Sequence, residues 1–171
     1  MNQFEKDIES TFESYAERGV ATLMMLPVEK KVVYPGGKPT IIYAKKSPFD
    51  VIGYRVRDAV IIGAELKESQ WKTSVPIVGP GAKGDGLAYH QLEALAELAH
   101  CGGIARLLWC NDGHVGVIKD KELVEIFTNY KQAWNSKKAG RRPKPGALSI
   151  KWEYFAPIVP GEGGLLVDWL A

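Results

Sequence analysis

Three residues with catalytic potential lie close together in the chain. Asp50 is followed fifteen residues later by Glu65, and Lys67 comes two residues after that, in Glu65-Leu66-Lys67. Two carboxylates and an ammonium suit hydrolysis of a phosphate ester. Hard divalent ions such as Mg2+ prefer oxygen-only ligands of this kind. A metal held between carboxylates can polarise a phosphoryl oxygen, generate hydroxide or stabilise a leaving oxygen. A nearby lysine can position water or balance developing charge.

That chemistry needs the three side chains to meet. Residues 49–56 and 59–67 read as a hairpin with Arg57-Asp58 at its turn. A two-residue turn there makes Val56 face Ala59 and Asp50 face Glu65. Directly opposed residues share a face, with Cβ atoms ~5 Å apart. Alternation puts Lys67 beside Glu65 and sends Val60, Ile62, Ala64 and Leu66 to the other, core-facing side. Opposed carboxylates repel unless a cation lies between them. The plainer reading of the same pattern is an exposed hairpin with a Glu–Lys pair. A bulge at Gly53 or Gly63 would break the register.

The elements around the hairpin follow from periodicity. Phe4, Ile8, Phe12 and Tyr15 mark a helix over 2–18, closed by Gly19. Residues 20–26, 28–34 and 40–44 are strand material around a Pro35-Gly36-Gly37 turn. Residues 68–88, rich in Gly and Pro, read as a loop. A helix spans 89–100 and ends at Gly102-Gly103. Strands 104–110 and 114–118 flank an Asn111-Asp112-Gly113 turn. A helix over 121–135 takes Asp120 as N-cap. A basic loop over 137–151 follows, then a strand near 147–155 and a tail to 171. This order predicts an α/β (α+β) protein with a mixed central sheet flanked by helices.

The 171 residues suit one domain, with a core over about 4–135. No run approaches the ~20 apolar residues of a membrane helix. The N-terminus lacks the pattern of a secretory signal, and two cysteines are too few for a disulfide scaffold. A cytoplasmic protein is expected. The net charge of +2 is unevenly spread. Residues 1–18 hold five acids against two bases, whereas Lys137, Lys138, Arg141, Arg142, Lys144 and Lys151 form a run without an acid. Such a cluster can neutralise phosphates, although a solvated loop would look the same.

The ordered set of motifs resembles the PD-(D/E)XK nuclease superfamily, specifically the RecU-type Holliday-junction resolvases. The set comprises a helix with Phe4-Glu5, Asp50-Val51-Ile52-Gly53, Glu65-Leu66-Lys67-Glu68, Ser74-Val75-Pro76-Ile77, a helix opened by His90-Gln91, and Gly103-Ile104 entering a strand. The resemblance runs from about Phe4 to Trp134. It implies a restriction-endonuclease-like core and Mg2+ ligation by Asp50, Glu65 and the Leu66 carbonyl, with Mn2+ as a substitute. Lys67 is then the catalytic lysine, Glu5 an auxiliary acid, and Gln91 an orienting group. The implied substrate is branched DNA, the four-way junction, cut by paired nicks from a homodimer in a bacterial or phage-infected cell. Trp169, Leu170 or parts of the first helix could supply the dimer interface. The segment from Lys30 to Lys46 lies where the family projects a stalk into the junction, and it is short here. Phe49 stands where the family often has Thr, and Leu66 where it has Ala. The alternatives are a nuclease of this fold acting on flaps, mismatches or duplex, and a non-catalytic DNA-binding module.

Gly79-Pro80-Gly81-Ala82-Lys83-Gly84 matches the G-x-G-x-x-G dinucleotide fingerprint. Pro80 in the tight turn and a late helix argue against it, so no nucleotide cofactor is expected. Lys72 and Lys83 could instead touch phosphate from this stretch. His90, His100 and His114 lack zinc spacing, and most of the five tryptophans are expected in the core.

Overall fold

The central strands are assembled from the apolar runs identified above. The computed structural model describes every residue except 1, 28–29, 34, 39, 44–46, 71, 81–84, 141–147, 159–167 and 171. Helix α1 spans Gln3–Glu17 and is followed by strands β1 (Ala21–Met25), β2 (Lys30–Val33), β3 (Thr40–Tyr43), β4 (Val51–Arg55), β5 (Ile61–Ser69), β6 (Ser74–Val78) and β7 (Leu87–Ala88). Then come α2 (Tyr89–His100), β8 (Ile104–Asn111), β9 (His114–Lys119), α3 (Asp120–Lys138), β10 (Ser149–Lys151) and β11 (Ala156–Pro157).

The main sheet is mixed and six-stranded, in the order β1-β4-β5-β8-β9-β11. Only β5 and β8 run parallel, because α2 lies in the crossover between them. β2 and β3 pair as a separate two-stranded ribbon between β1 and β4, and β10-β6-β7 form a small second sheet. Phe4, Ile8, Phe12 and Tyr15 of α1 pack with Ile62, Ala64 and Leu66 on one face of the main sheet. Leu92, Leu95, Leu123 and Tyr130, from α2 and α3, pack with Leu107 and Trp109 of β8 in the other core. The expected mixed sheet between helices is therefore present. No helix among the described residues is long and apolar enough to cross a membrane.

The hairpin register matches the expectation, but its turn does not. Val51 pairs with Ala64, Ile52 with Gly63, Gly53 with Ile62 and Tyr54 with Ile61. Arg57-Asp58 is not a two-residue turn. The loop is Val56–Ala59, with Ala59 left-handed at φ 55° and its N–H donating to the Arg55 carbonyl at 2.8 Å. Arg55 clasps Asp58 across the loop at 2.7 Å. One extra residue on each side leaves the register unchanged. No bulge forms at either glycine. Gly63 instead lets α2 approach, since a Cβ there would lie 2.7 Å from Leu98.

Other expectations need correction. Residues 68–88 are not one loop: β5 extends to Ser69, and β6 and β7 follow. Pro76 hides β6 in the sequence. It is tolerated because pairing with β7 begins only at Ile77, so its missing N–H leaves no β7 carbonyl unpaired. Asp120 is not an N-cap. Lys119 holds that position, and the Asp120 carboxylate accepts from the Ala105 N–H and the buried Arg106 guanidinium, both at 2.7 Å. Lys137 and Lys138 are helical, in the last turn of α3, rather than in a loop. The strand expected over 147–155 is the three-residue β10, followed by a 3₁₀ turn at Trp152–Tyr154. Asp112 and Gly113 alone make the turn after β8, both at positive φ, as a type I′ turn requires.

Trp169 is not free to form a dimer interface. It is 1% exposed, meets the Tyr15 ring edge-on at 5.9 Å, and donates its indole N–H to Thr11 at 3.2 Å. Trp169 is thus part of the core beneath α1. Trp169→Ala should cost about 3–5 kcal/mol, measured as a lowered urea midpoint. A shift under 1 kcal/mol would show that Trp169 is only loosely applied.

Candidate active site

β5 is a central strand, and its two faces meet different layers. Ile62, Ala64 and Leu66 face α1, so Glu65 and Lys67 face the α2 side. The Glu65 side chain is 1% exposed. Its Oε1 receives the Lys67 ammonium at 2.6 Å and the Gln91 side-chain amide. Gln91 belongs to the first turn of α2. Its Oε1 accepts from the Ala88 N–H at 3.1 Å and from Lys67 Nζ at 3.3 Å. The Ala88 N–H must meet an oxygen, which fixes the amide orientation and turns the Gln91 NH₂ towards Glu65.

Asp50 enters from the neighbouring strand. It stands just before β4, out of the regular ladder, with its N–H on the Ala64 carbonyl at 2.9 Å and its carbonyl on the Leu26 N–H at 2.7 Å. Its carboxylate accepts from the Leu66 N–H at 2.9 Å. β4 is too short to pair with Leu66, and the Asp50 side chain takes that role. N–H and C=O of one strand residue point to the same side, so the Leu66 carbonyl also faces the Asp50 side.

Burial dominates the electrostatics of the pair. It raises the Glu65 carboxyl to about 8, with the Lys67 ammonium pulling the other way and the Asp50 charge adding to the rise. Glu65 Oε2 is buried and meets no hydrogen-bond donor among the described residues. An orphaned carboxylate oxygen beside a second carboxylate calls for a proton or a cation. Glu65 Oε2, the Asp50 carboxylate and the Leu66 carbonyl are hard oxygens that could hold Mg2+, which commonly keeps several waters besides one or two carboxylates. No cluster of three or more His, Cys, Asp or Glu with metal-binding geometry occurs among the described residues. Water and substrate oxygens would have to complete the shell.

The structure thus brings together Asp50, Glu65, Lys67 and Gln91. Glu5 has a local role: its carboxylate accepts from the Asn2 N–H at 2.9 Å, and Asn2 returns the bond in a capping box on α1. Lys72 is exposed just beyond the end of β5. Lys137 and Lys138 are exposed on α3, with the Lys137 ammonium 5.6 Å from the centre of the Trp134 ring. Lys83, Arg141, Arg142 and Lys144 lie outside the described residues. Sequence reasoning overlooked Asn111, which bonds to the backbone of Lys72. An Asn before Asp-Gly reads only as a turn former.

No protein-family model matches the chain, and no curated protein matches it.

The pH dependence of stability tests the Glu65 environment. The folded chain holds the Glu65 proton to about pH 8, whereas the usual value is 4.5. Between these values the folded state binds more protons than the unfolded state, so stability falls as pH rises through that window and levels off above it. The slope is at most ~1.4 kcal/mol per pH unit. In EDTA, the urea midpoint of the wild type should fall across this range relative to that of Glu65→Gln. Parallel profiles would show that Glu65 titrates normally.

Proposed function

We propose that the chain is a divalent-metal-dependent DNA endonuclease of the PD-(D/E)XK kind, acting on four-way junctions as a homodimer. The supporting observation is the buried Glu65 with its unpaired Oε2 beside Asp50, on a strand that also presents Lys67. In this reading Asp50, Glu65 and the Leu66 carbonyl hold Mg2+, or Mn2+ in its place. The ion would supply Lewis-acid chemistry and a lowered water pKa.

The chain's own residues do the rest. Lys67 neutralises charge on the phosphate and positions the attacking water. Gln91 holds both Glu65 and Lys67, so neither is free to turn away. The water oxygen attacks phosphorus, the P–O3′ bond breaks, and the products carry a 5′-phosphate and a 3′-hydroxyl. Lys72, Lys137 and Lys138, with Lys83, Arg141, Arg142 and Lys144, would contact the DNA backbone. Such an enzyme would work in the cytoplasm of a bacterial or phage-infected cell. Two nicks related by a two-fold axis need two copies of the site.

The test compares a four-way junction, a flap and a linear duplex, with and without Mg2+. Paired nicks confined to the junction are expected, and EDTA should abolish them. Glu65→Gln and Lys67→Ala should each slow cleavage by on the order of 10²-fold or more, with junction affinity kept within a few-fold. Wild-type nicking by Asp50→Asn would overturn the assignment. Cleavage of flaps or duplex instead would retain the nuclease and change its substrate. Binding without cleavage in any divalent metal would mark a non-catalytic DNA-binding module.

A further inference from the structure

The chain leaves β5 through a polar lane on the face that carries Glu65 and Lys67. Ser69 lies on that face by alternation, two residues or ~6.6 Å beyond Lys67. Its partner on β8 is Asn111. The Ser69 hydroxyl accepts the Trp109 indole N–H at 2.6 Å and donates to Asn111 Oδ1 at 3.3 Å. The Asn111 amide then treats Lys72 as a strand partner. Its Oδ1 accepts the Lys72 N–H at 3.2 Å, and its NH₂ donates to the Lys72 carbonyl at 2.8 Å. A short carboxamide offers both a donor and an acceptor in one plane, as a peptide group does. The next residue is tied as well, because the Thr73 carbonyl accepts the Trp152 N–H at 3.0 Å. Lys72 and Thr73 are therefore each tied to a neighbouring element.

We infer that Asn111 is a positioning residue that fixes the backbone of Lys72, so that the Lys72 ammonium binds a DNA phosphate flanking the one next to Lys67. The inference rests on the nuclease reading and adds a second phosphate contact to it. Lys72 is exposed, and it sits beside a residue level with Ser69. That places its backbone roughly 7 Å along the strand direction from Lys67, two residues' rise of a β-strand. A lysine on a mobile backbone loses conformational entropy when it binds a phosphate, which offsets part of the electrostatic gain. Fixing its backbone in advance reduces that loss.

The experiment measures binding of a four-way junction in EDTA over a range of salt for the wild type, Lys72→Ala, Asn111→Ala, Asn111→Asp and the double variant Lys72→Ala/Asn111→Ala. Lys72→Ala should weaken binding 3- to 10-fold and make the salt slope shallower by about one. Asn111→Ala should weaken binding comparably, and the double variant should be no weaker than the weaker of the two single variants. Asn111→Asp keeps the size of the side chain but sets a carboxylate against the Lys72 carbonyl, so it should also lose affinity. Full affinity in both Asn111 variants would overturn the inference, as would losses that add fully in the double variant. A wild-type chain that binds no DNA would overturn the nuclease reading itself, and with it the role of Lys72.

Discussion

A buried carboxylate with only one satisfied oxygen is the constraint around which this structure is arranged. Placing Glu65 on the central strand removes it from water, and an uncompensated charge there would cost several kcal/mol. Lys67 and Gln91 both act on Oε1. Nothing among the described residues donates to Oε2. Asp50 raises the cost further, because its charge opposes ionisation of Glu65. An apolar residue at position 65 would pack more cheaply. That unrelieved polarity sets Glu65 apart from the more exposed Arg55–Asp58 pair.

The surrounding elements hold that cluster in place. Gly63 has no side chain, so α2 can approach β5 closely enough for Gln91 to reach Glu65. The parallel pairing of β5 with β8 follows from the crossover that brings α2 over this face. Asp50 stands just outside β4, and its carboxylate meets the Leu66 N–H that the short strand cannot reach. On the far side, α1 and Trp169 seal the opposite face, and the Arg106 guanidinium ties Trp169 to the sheet through its carbonyl at 3.3 Å. The two cores are thus organised around one strand whose residues alternate between apolar packing and the charged Glu65 and Lys67.

Much of this was legible in the sequence because it depends on local rules. Periodicities of two and 3.6 located α1, α2, β8 and β9 closely, since each buries one regular face. The hairpin register was also legible. The turn was misread, but a loop longer by one residue on each side leaves the pairing intact, so Asp50, Glu65 and Lys67 still meet. β6 was not legible, because Pro76 argues against a strand. It is allowed only by the two-residue length of β7, which is a tertiary fact. Asp120 looked like a cap because an Asp before a helix normally is one. Arg106, far away in sequence, competed successfully for its carboxylate.

The sequence by itself determined which residues could do chemistry, and that Asp50, Glu65 and Lys67 would share one hairpin. Alternation and register are properties of a strand and its neighbour. Only the tertiary structure decided that Glu65 is fully buried and that Gln91 is its donor. It also decided that Trp169 is core and that Asn111 holds Lys72. These depend on which layers close over each face of the sheet, and packing between elements distant in the chain leaves no periodic trace in the sequence.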